Sequence, residues 1–189
     1  MTYLYGWNAV SEFVLDEFES LGIPVEGVIV DDEFIDTLDQ TNGIYIIPYS
    51  QVSFAPRDRV INCLGYKDLN QRIYIGERLL SFGILQTFVS KQAYVHRTAS
   101  IDVGAVLLGD VVIERNCRTG KHSLLWGGSR ICHDSSVEQG CFFASGSIVG
   151  GASTIGRVCS VGFNSSIREK SVVPEGTRVG ANCFWRPNS

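Results

Sequence analysis

The sequence predicts a small parallel α/β sheet with helices on its faces, followed by a parallel β-helix. The first observation is a period. From Val95 to Ser189 the chain reads in sixes without a slip, and the first residue of each six is apolar, from Val95, Ile101 and Leu107 to Val179 and Trp185, except at Thr119. The second is that the fifth residue of each six is small throughout, from Ala99 and Ala105 to Cys183 and Ser189. Helical and extended side chains repeat at about 3.6 and 2.0 residues, so neither yields this period. An apolar residue followed four places later by a small one is the hexapeptide pattern of a parallel β-helix. The third observation is that apolar runs alternate with helical patterns before the sixes begin, as in a parallel sheet covered by helices.

Thr2 to Tyr5 reads as a strand ending at Gly6. Ser11 is placed to cap a helix carrying Phe13, Val14, Phe18 and Leu21 at helical spacing, with Gly22 as its stop. Val25 to Val30 is a second strand, ended by Asp31-Asp32, and Gly43 to Ile47 and Arg59 to Leu64 are further strands. Asp68 to Phe82 has a helical pattern stopped by Gly83, and Leu85 to Val89 is one more strand. The turn at Gly6 lies at the carboxyl end of the first strand, where such sheets bind ligands. The division falls near Ser90 to Tyr94, giving domains 1–90 and 91–189.

Each six supplies a short strand and a corner, so three sixes make one triangular coil of eighteen residues. Fifteen whole sixes make about five coils, stacked at about 4.8 Å by strand hydrogen bonding. A solenoid needs its ends covered. The α/β domain is expected at the lower end, and Trp185 with Pro187 at the upper.

Composition narrows the partners. A formal net charge of −4 and a pI near 5.4 argue against nucleic acid or an anionic membrane as partner. The start has no basic segment followed by a long apolar one, so a soluble, cytoplasmic chain is expected. Four of the six cysteines, Cys117, Cys141, Cys159 and Cys183, fall in the small fifth place. They read as structural thiols rather than redox or zinc ligands.

The three histidines, His96, His122 and His133, occupy three different places of their sixes and form no column, so no metal site is expected. His133 is followed by Asp134. An imidazole, with an ordinary pKa of about 6.5, oriented by a carboxylate is what a general base at neutral pH requires. Eighteen residues on, Gly150-Gly151 removes side chains from the wall beside the histidine, and the Gly151 N–H could face a developing oxyanion. Ser145, Phe163 and Ala181, also eighteen apart, could line a groove for a long, thin cofactor. The plainer alternatives are a surface histidine beside a solvated aspartate and glycines that only relax a corner. A Cys132–His133 acyl-enzyme is disfavoured, because neighbouring strand residues point to opposite faces.

Leu125-Trp126-Gly127-Gly128-Ser129-Arg130-Ile131-Cys132-His133-Asp134-Ser135, Phe143-Ala144-Ser145-Gly146, Gly150-Gly151, Thr154-Ile155-Gly156 and Tyr94-Val95-His96-Arg97-Thr98-Ala99 together resemble the NeuD/PglD family of sugar acetyltransferases. The resemblance implies a Rossmann-like α/β substrate-binding domain, then a left-handed parallel β-helix that forms homotrimers and binds acetyl-CoA between subunits. It implies that His133 is the base, that Asp134 orients it, and that the backbone at Gly150 and Gly151 meets the acetyl carbonyl. Ser145, Phe163 and Ala181 would flank the pantetheine arm. Phe142 stands where many members carry a second histidine near the thioester. Gly6, Asn8, Asp31, Asp32 and Gly65 would hold the acceptor, an amino sugar or nucleotide sugar. Of the family's glycine-rich turn only Gly6 remains. Asn8 can adopt left-handed angles, but Trp7 and Val10 hinder phosphate approach. The implied reaction is direct acetylation of a sugar amine for a bacterial surface polysaccharide. O-acetylation and a decayed trimeric scaffold are the alternatives.

Overall fold

The computed structural model describes residues 1–37 and 43–187. Strands β1 (Thr2–Tyr5), β2 (Gly27–Val30), β3 (Ile46–Pro48), β4 (Arg59–Asn62) and β5 (Leu85–Gln86) pair in parallel in the order β3-β2-β1-β4-β5. Helices α1 (Ala9–Ser20) and α2 (Leu69–Ser81) connect β1 to β2 and β4 to β5. Alternate strand residues feed two cores. Leu4, Val28 and Ile61 pack with Val10 and Val14 of α1, while Tyr5, Ile29 and Val60 pack with Ile75 and Leu79 of α2. The order reverses between β1 and β4, which makes the carboxyl ends of those two strands the ligand-binding crevice of such a sheet.

The helix start differs from expectation. Asn8, not Ser11, caps α1: its side chain accepts from the Val10 N–H at 2.8 Å, and Ser11 completes a reciprocal capping box from the third helical position. Asn8 is extended, with φ of −174°, rather than left-handed. The left-handed turn sits at Gly6, whose φ is +96°. Strands β2, β3 and β4 are shorter than their apolar runs. The fourth stops at Asn62 because its side chain replaces the ladder, donating to the Arg72 carbonyl at 2.8 Å and accepting from the Leu64 N–H at 3.1 Å. The run Leu85 to Val89 is two strands, not one: β5 joins the α/β sheet, while Phe88–Val89 pairs with Val106–Leu107 and opens the β-helix stack.

The sixes form three parallel faces. The first stacks Tyr94–Val95, Val112–Ile113, Arg130–Ile131, Ile148–Val149, Ser166–Ile167 and Phe184–Trp185. The second stacks Ser100–Ile101, Arg118–Thr119, Ser136–Val137, Thr154–Ile155 and Val172–Val173. The third stacks Phe88–Val89, Val106–Leu107, Leu124–Leu125, Phe142–Phe143, Ser160–Val161 and Arg178–Val179. Every register step is eighteen residues, as Ile131 opposite Val149 illustrates. First-place residues form the prism core together with Cys117, Cys141 and Cys159, and Trp185 packs against that core while Pro187 is exposed. Corners turn at the fourth place, where Asn116, His122, Asp134, Ala152, Val158, Asn164, Lys170 and Asn182 all have positive φ. The α/β layer does not cap the lower end as expected but lies along the third face: Phe88, Val106, Leu124 and Phe142, pointing outward from the prism, share a core with Leu4, Val10 and Val14.

Helix α2 is keyed to the prism by His122. This side chain is fully buried, and a Cβ built on Gly76 or Gly104 would lie 2.3 or 2.6 Å from its Nδ1. Its Nε2–H donates to Glu77 Oε1 at 3.0 Å, and Nδ1 is left as a buried acceptor without a hydrogen-bond partner among the described residues. Burial lowers the His122 pKa below 6.5, and this outweighs the opposing pull of Glu77. The ring is therefore neutral in the fold, and the stability it contributes is present above pH 6.5 and lost as pH falls below it. The urea midpoint is expected to drop between about pH 7.5 and 5.5, and His122→Gln to flatten that slope. An equal slope in the variant would show that another group carries it.

Candidate active site

His133 follows the first-face strand Arg130–Ile131 and projects from a corner, with its side chain 50% exposed. Asp134 occupies the left-handed fourth place, with φ of +61°. That backbone turn brings its carboxylate back onto the preceding ring, so the alternation expected along an extended strand does not apply. Asp134 Oδ2 lies 2.9 Å from His133 Nδ1. An ionised carboxylate only accepts, so Nδ1 donates to it, and in the neutral imidazole this leaves Nε2 as the acceptor. The carboxylate is itself held by Asn116 Nδ2 at 2.8 Å and Arg115 Nη2 at 3.3 Å. The Asn116 amide, followed by the His133 ring, keeps the Asp134 pKa below its ordinary value. The His133 backbone N–H donates to Glu114 Oε2 at 2.9 Å, and Arg130 holds the other oxygen of Glu114 at 3.1 Å. Cys132 is different in character, since burial raises its thiol pKa and keeps it protonated.

Gly151 lies one coil along from the ring. A Cβ built there would stand 2.8 Å from both Cε1 and Nε2 of His133, so glycine keeps the basic edge of the imidazole clear. Gly150 serves packing, because a Cβ on it would meet Glu169 N at 2.5 Å and Ile167 O at 2.7 Å in the next coil. The Gly151→Val variant is expected to swing the ring off Asp134 and slow turnover by at least about 100-fold. Its melting temperature should hardly change, because the ring is half exposed. Unchanged turnover would refute the clearance role.

Ser145, Phe163 and Ala181 line up as a column, with Phe163 and Ala181 exposed, but at the corner that leaves the third face. The strand Ile148–Val149 of the first face separates Ser145 from Gly151. Within one chain the column and the His133–Gly151 pair therefore occupy different corners. Phe142 is on the third face, only 5% exposed, and its ring stacks on Tyr66 at 4.3 Å and 17°.

The crevice between β1 and β4 is a cleft of about 700 Å³. Of the expected acceptor residues, Asn8, Asp31 and Gly65 line it. Gly6 instead packs on Leu64, whose Cδ2 a Cβ would meet at 3.0 Å, and Asp32 accepts from the Ser50 N–H at 3.0 Å outside the cleft. The sequence reading missed most of the walls: Trp7 enters it only as an obstacle to phosphate, and Phe34, Tyr66, Lys67 and Trp126 not as lining residues at all. Trp126 follows Leu124–Leu125 of the covered face and meets Phe13 edge-on at 6.5 Å. The signal for it was the apolar outward series Phe88, Val106, Leu124 and Phe142, which shows where the α/β layer docks. Among the described residues, no group of histidine, cysteine, aspartate and glutamate side chains could hold a metal ion.

No protein-family model matches the sequence, and no curated protein matches it. Solved structures do. The acetyltransferase domain of PglB from Neisseria gonorrhoeae, in complex with acetyl coenzyme A, superposes with a TM-score of 0.84 at 19% identity, over 97% of this chain and 91% of that one. A variant of perosamine N-acetyltransferase from Caulobacter crescentus, in complex with CoA and GDP-perosamine, gives 0.83 at 16%, over 98% and 88%. WeeI from Acinetobacter baumannii gives 0.66 at 17%, over 97% and 95%. The chain shares their fold. At these identities the likeness extends to architecture across nearly the whole length, and any chemistry has to be argued from this chain's own residues.

Proposed function

We propose that the chain is an acetyl-CoA-dependent acetyltransferase acting on an amino sugar, with His133 as general base. The observation that carries this reading is the His133–Asp134 pair, whose Nε2 edge faces the space left open by Gly151. An acceptor nitrogen attacks the thioester carbonyl carbon, the new C–N bond forms as the C–S bond breaks, and His133 Nε2 takes the proton from nitrogen. Coenzyme A leaves as a thiolate, which takes that proton back from the imidazolium and returns His133 to its basic form. Asp134 fixes the tautomer and stabilises the imidazolium that forms. The Gly151 N–H is assigned to the developing oxyanion.

Further parts of the reading go with it. The prism, which opens at Phe88–Val89 and not at the expected boundary of 90/91, is a left-handed β-helix, and the residues before it form a Rossmann-like acceptor domain. The first face leaves Tyr94, Ile148 and Phe184 between 41% and 61% exposed on one flat surface. Burial of that surface in a homotrimer would bring the Ser145–Phe163–Ala181 column of one copy towards His133 of the next, with the pantetheine arm between them. Phe142, sealed against Tyr66, supports the cleft wall and offers no polar group to the thioester. The same bound complexes that accompany the fold, acetyl coenzyme A with PglB and GDP-perosamine with the perosamine enzyme, support an acetyl donor and an amino-sugar acceptor. We place the enzyme in the cytoplasm, in surface-polysaccharide assembly. No helix among the described residues is long and apolar enough to cross a membrane.

The test is incubation of the purified chain with acetyl-CoA and a panel of free and nucleotide-linked amino sugars, read by mass spectrometry for acetylated sugar and released thiol. Acetyl-CoA should also raise the melting temperature. No product with any acceptor and no stabilisation by acetyl-CoA would leave a scaffold as the better reading.

A further inference from the structure

Building on the acetyltransferase reading, we infer that the crevice between β1 and β4 takes its acceptor as an amino sugar without a nucleoside diphosphate. The sugar ring would lie against aromatic side chains, with its hydroxyls towards carboxylates.

Three independent features of the crevice lead there. The first is that the place where such a sheet holds a pyrophosphate is already filled. A diphosphate needs free N–H groups at the start of α1 and a glycine turn that admits it closely. Here the side chain of Asn8 accepts from the Val10 N–H and from the N–H of Ser11, and the Asn8 N–H donates to Ser11 Oγ at 2.9 Å. Asn8 Nδ2 is also tied down, donating to the Cys63 carbonyl at 2.9 Å. Gly6 packs on Leu64 instead of facing the cleft, and Trp7 occupies the next position. A phosphate would have to displace the helix's own cap.

The second feature is charge. Among the described residues lining the cleft, Lys67 is the single cation, against Asp31, Glu33 and Asp68. A diphosphate would enter a net negative field, whereas an ammonium or a set of sugar hydroxyls is attracted by it. Arg178 does not alter this balance, since it lines a neighbouring cleft that shares only Tyr66, Lys67 and Asp68 with this one. The acid of the β2 end that would grip a ribose is divided: Asp31 faces the cleft and accepts from the Tyr5 hydroxyl, while Asp32 is turned to Ser50 outside it.

The third feature is that two aromatic rings of the wall each pack on another ring of the protein. Tyr66 is stacked on Phe142 and Trp126 meets Phe13 edge-on, so each ring already has an aromatic partner on the protein side. Aromatic faces suit the apolar C–H face of a sugar, and a volume of about 700 Å³ falls within the range for small-molecule sites.

The experiment uses the full chain with four probes: methyl glycosides of amino-deoxyhexoses, UDP, GDP and dTDP. The methyl glycosides should raise the melting temperature and be acetylated with a kcat/KM within about tenfold of their nucleotide-linked forms. UDP, GDP and dTDP at about 1 mM should neither stabilise the protein nor inhibit transfer. Tyr66→Ala and Trp126→Ala should each raise KM for the methyl glycoside by about tenfold or more, with acetyl-CoA stabilisation unchanged. Inhibition by any of the three diphosphates, or a preference of about 100-fold or more for the nucleotide-linked sugar, overturns the inference while the acetyltransferase reading stands. Absence of transfer to every acceptor overturns both.

Discussion

The His133→Ala variant is expected to transfer acetyl groups about 100 to 10,000 times more slowly than the parent chain, the usual contribution of a positioned general base. The ring is half exposed and, among the described residues, hydrogen-bonds only to Asp134 through Nδ1, so its removal leaves the β-helix core intact. Folding can be checked by an unchanged melting temperature and unchanged stabilisation by acetyl-CoA. Two further readouts separate a base from a bystander. Added imidazole should restore part of the lost rate in His133→Ala, because the cavity left behind is open to solvent. Asp134→Asn keeps the left-handed corner, which asparagine tolerates, but replaces the acceptor of the Nδ1 proton with an amide. It should therefore lose less rate than His133→Ala and respond less to imidazole. Near-parental turnover in His133→Ala would end the proposed mechanism.

The largest expected effect on stability is at Arg72, in the first turn of α2. Its side chain is fully buried and joins three parts of the molecule. The Nε–H donates to the His122 carbonyl of the prism at 2.8 Å, and Nη1 donates to the Asn62 carbonyl at 2.9 Å and to that of Leu64. Burial pushes its pKa down to about 10, which still leaves the guanidinium charged at neutral pH. Arg72→Met strands three carbonyls that had a charged donor. With about 1–3 kcal/mol for each buried group left unpaired, a loss of about 3–5 kcal/mol is expected. For a chain of this size that is a fall of about 10–15 °C in melting temperature. Arg72→Lys should recover little, since an ammonium cannot reproduce the planar fork. Leu64 leads directly into Gly65 and Tyr66 of the cleft, so acceptor KM should rise in the variants before acetyl-CoA binding weakens. A melting temperature within about 2 °C of the parent would show that water replaces these bonds.

Much of the second half of the molecule was legible because its geometry is periodic. A side chain at the first place of a six must enter the prism, and one eighteen residues away must lie above it. That is enough to put Gly151 beside His133, as the structure has it. The same ruler placed Ser145, Phe163 and Ala181 in one column, yet counting in sixes could equally have shown that a strand separates them from Gly151. The left-handed fourth place was harder to see, since asparagine, aspartate, histidine, alanine, valine and lysine all occupy it. Only the backbone shows why Asp134 can turn onto the residue before it.

The first half was less legible, since local signals there compete. Asn8 and Ser11 are both good caps, and the choice between them depends on the extended backbone that follows Gly6. Leu85 to Val89 has one apolar pattern but serves two sheets, and nothing local to five residues can show the change of partner.

By itself the sequence determined the repeat, the inward direction of the first-place residues, the adjacency of His133 and Gly151, and a parallel sheet before them. The tertiary structure alone decided which outward face of the prism is covered, which rings wall the cleft, and that the cap of α1 fills its own anion site. The reason is physical: the first group follows from covalent spacing and stacking within one solenoid, and the second from contacts between segments whose separation along the chain carries no period.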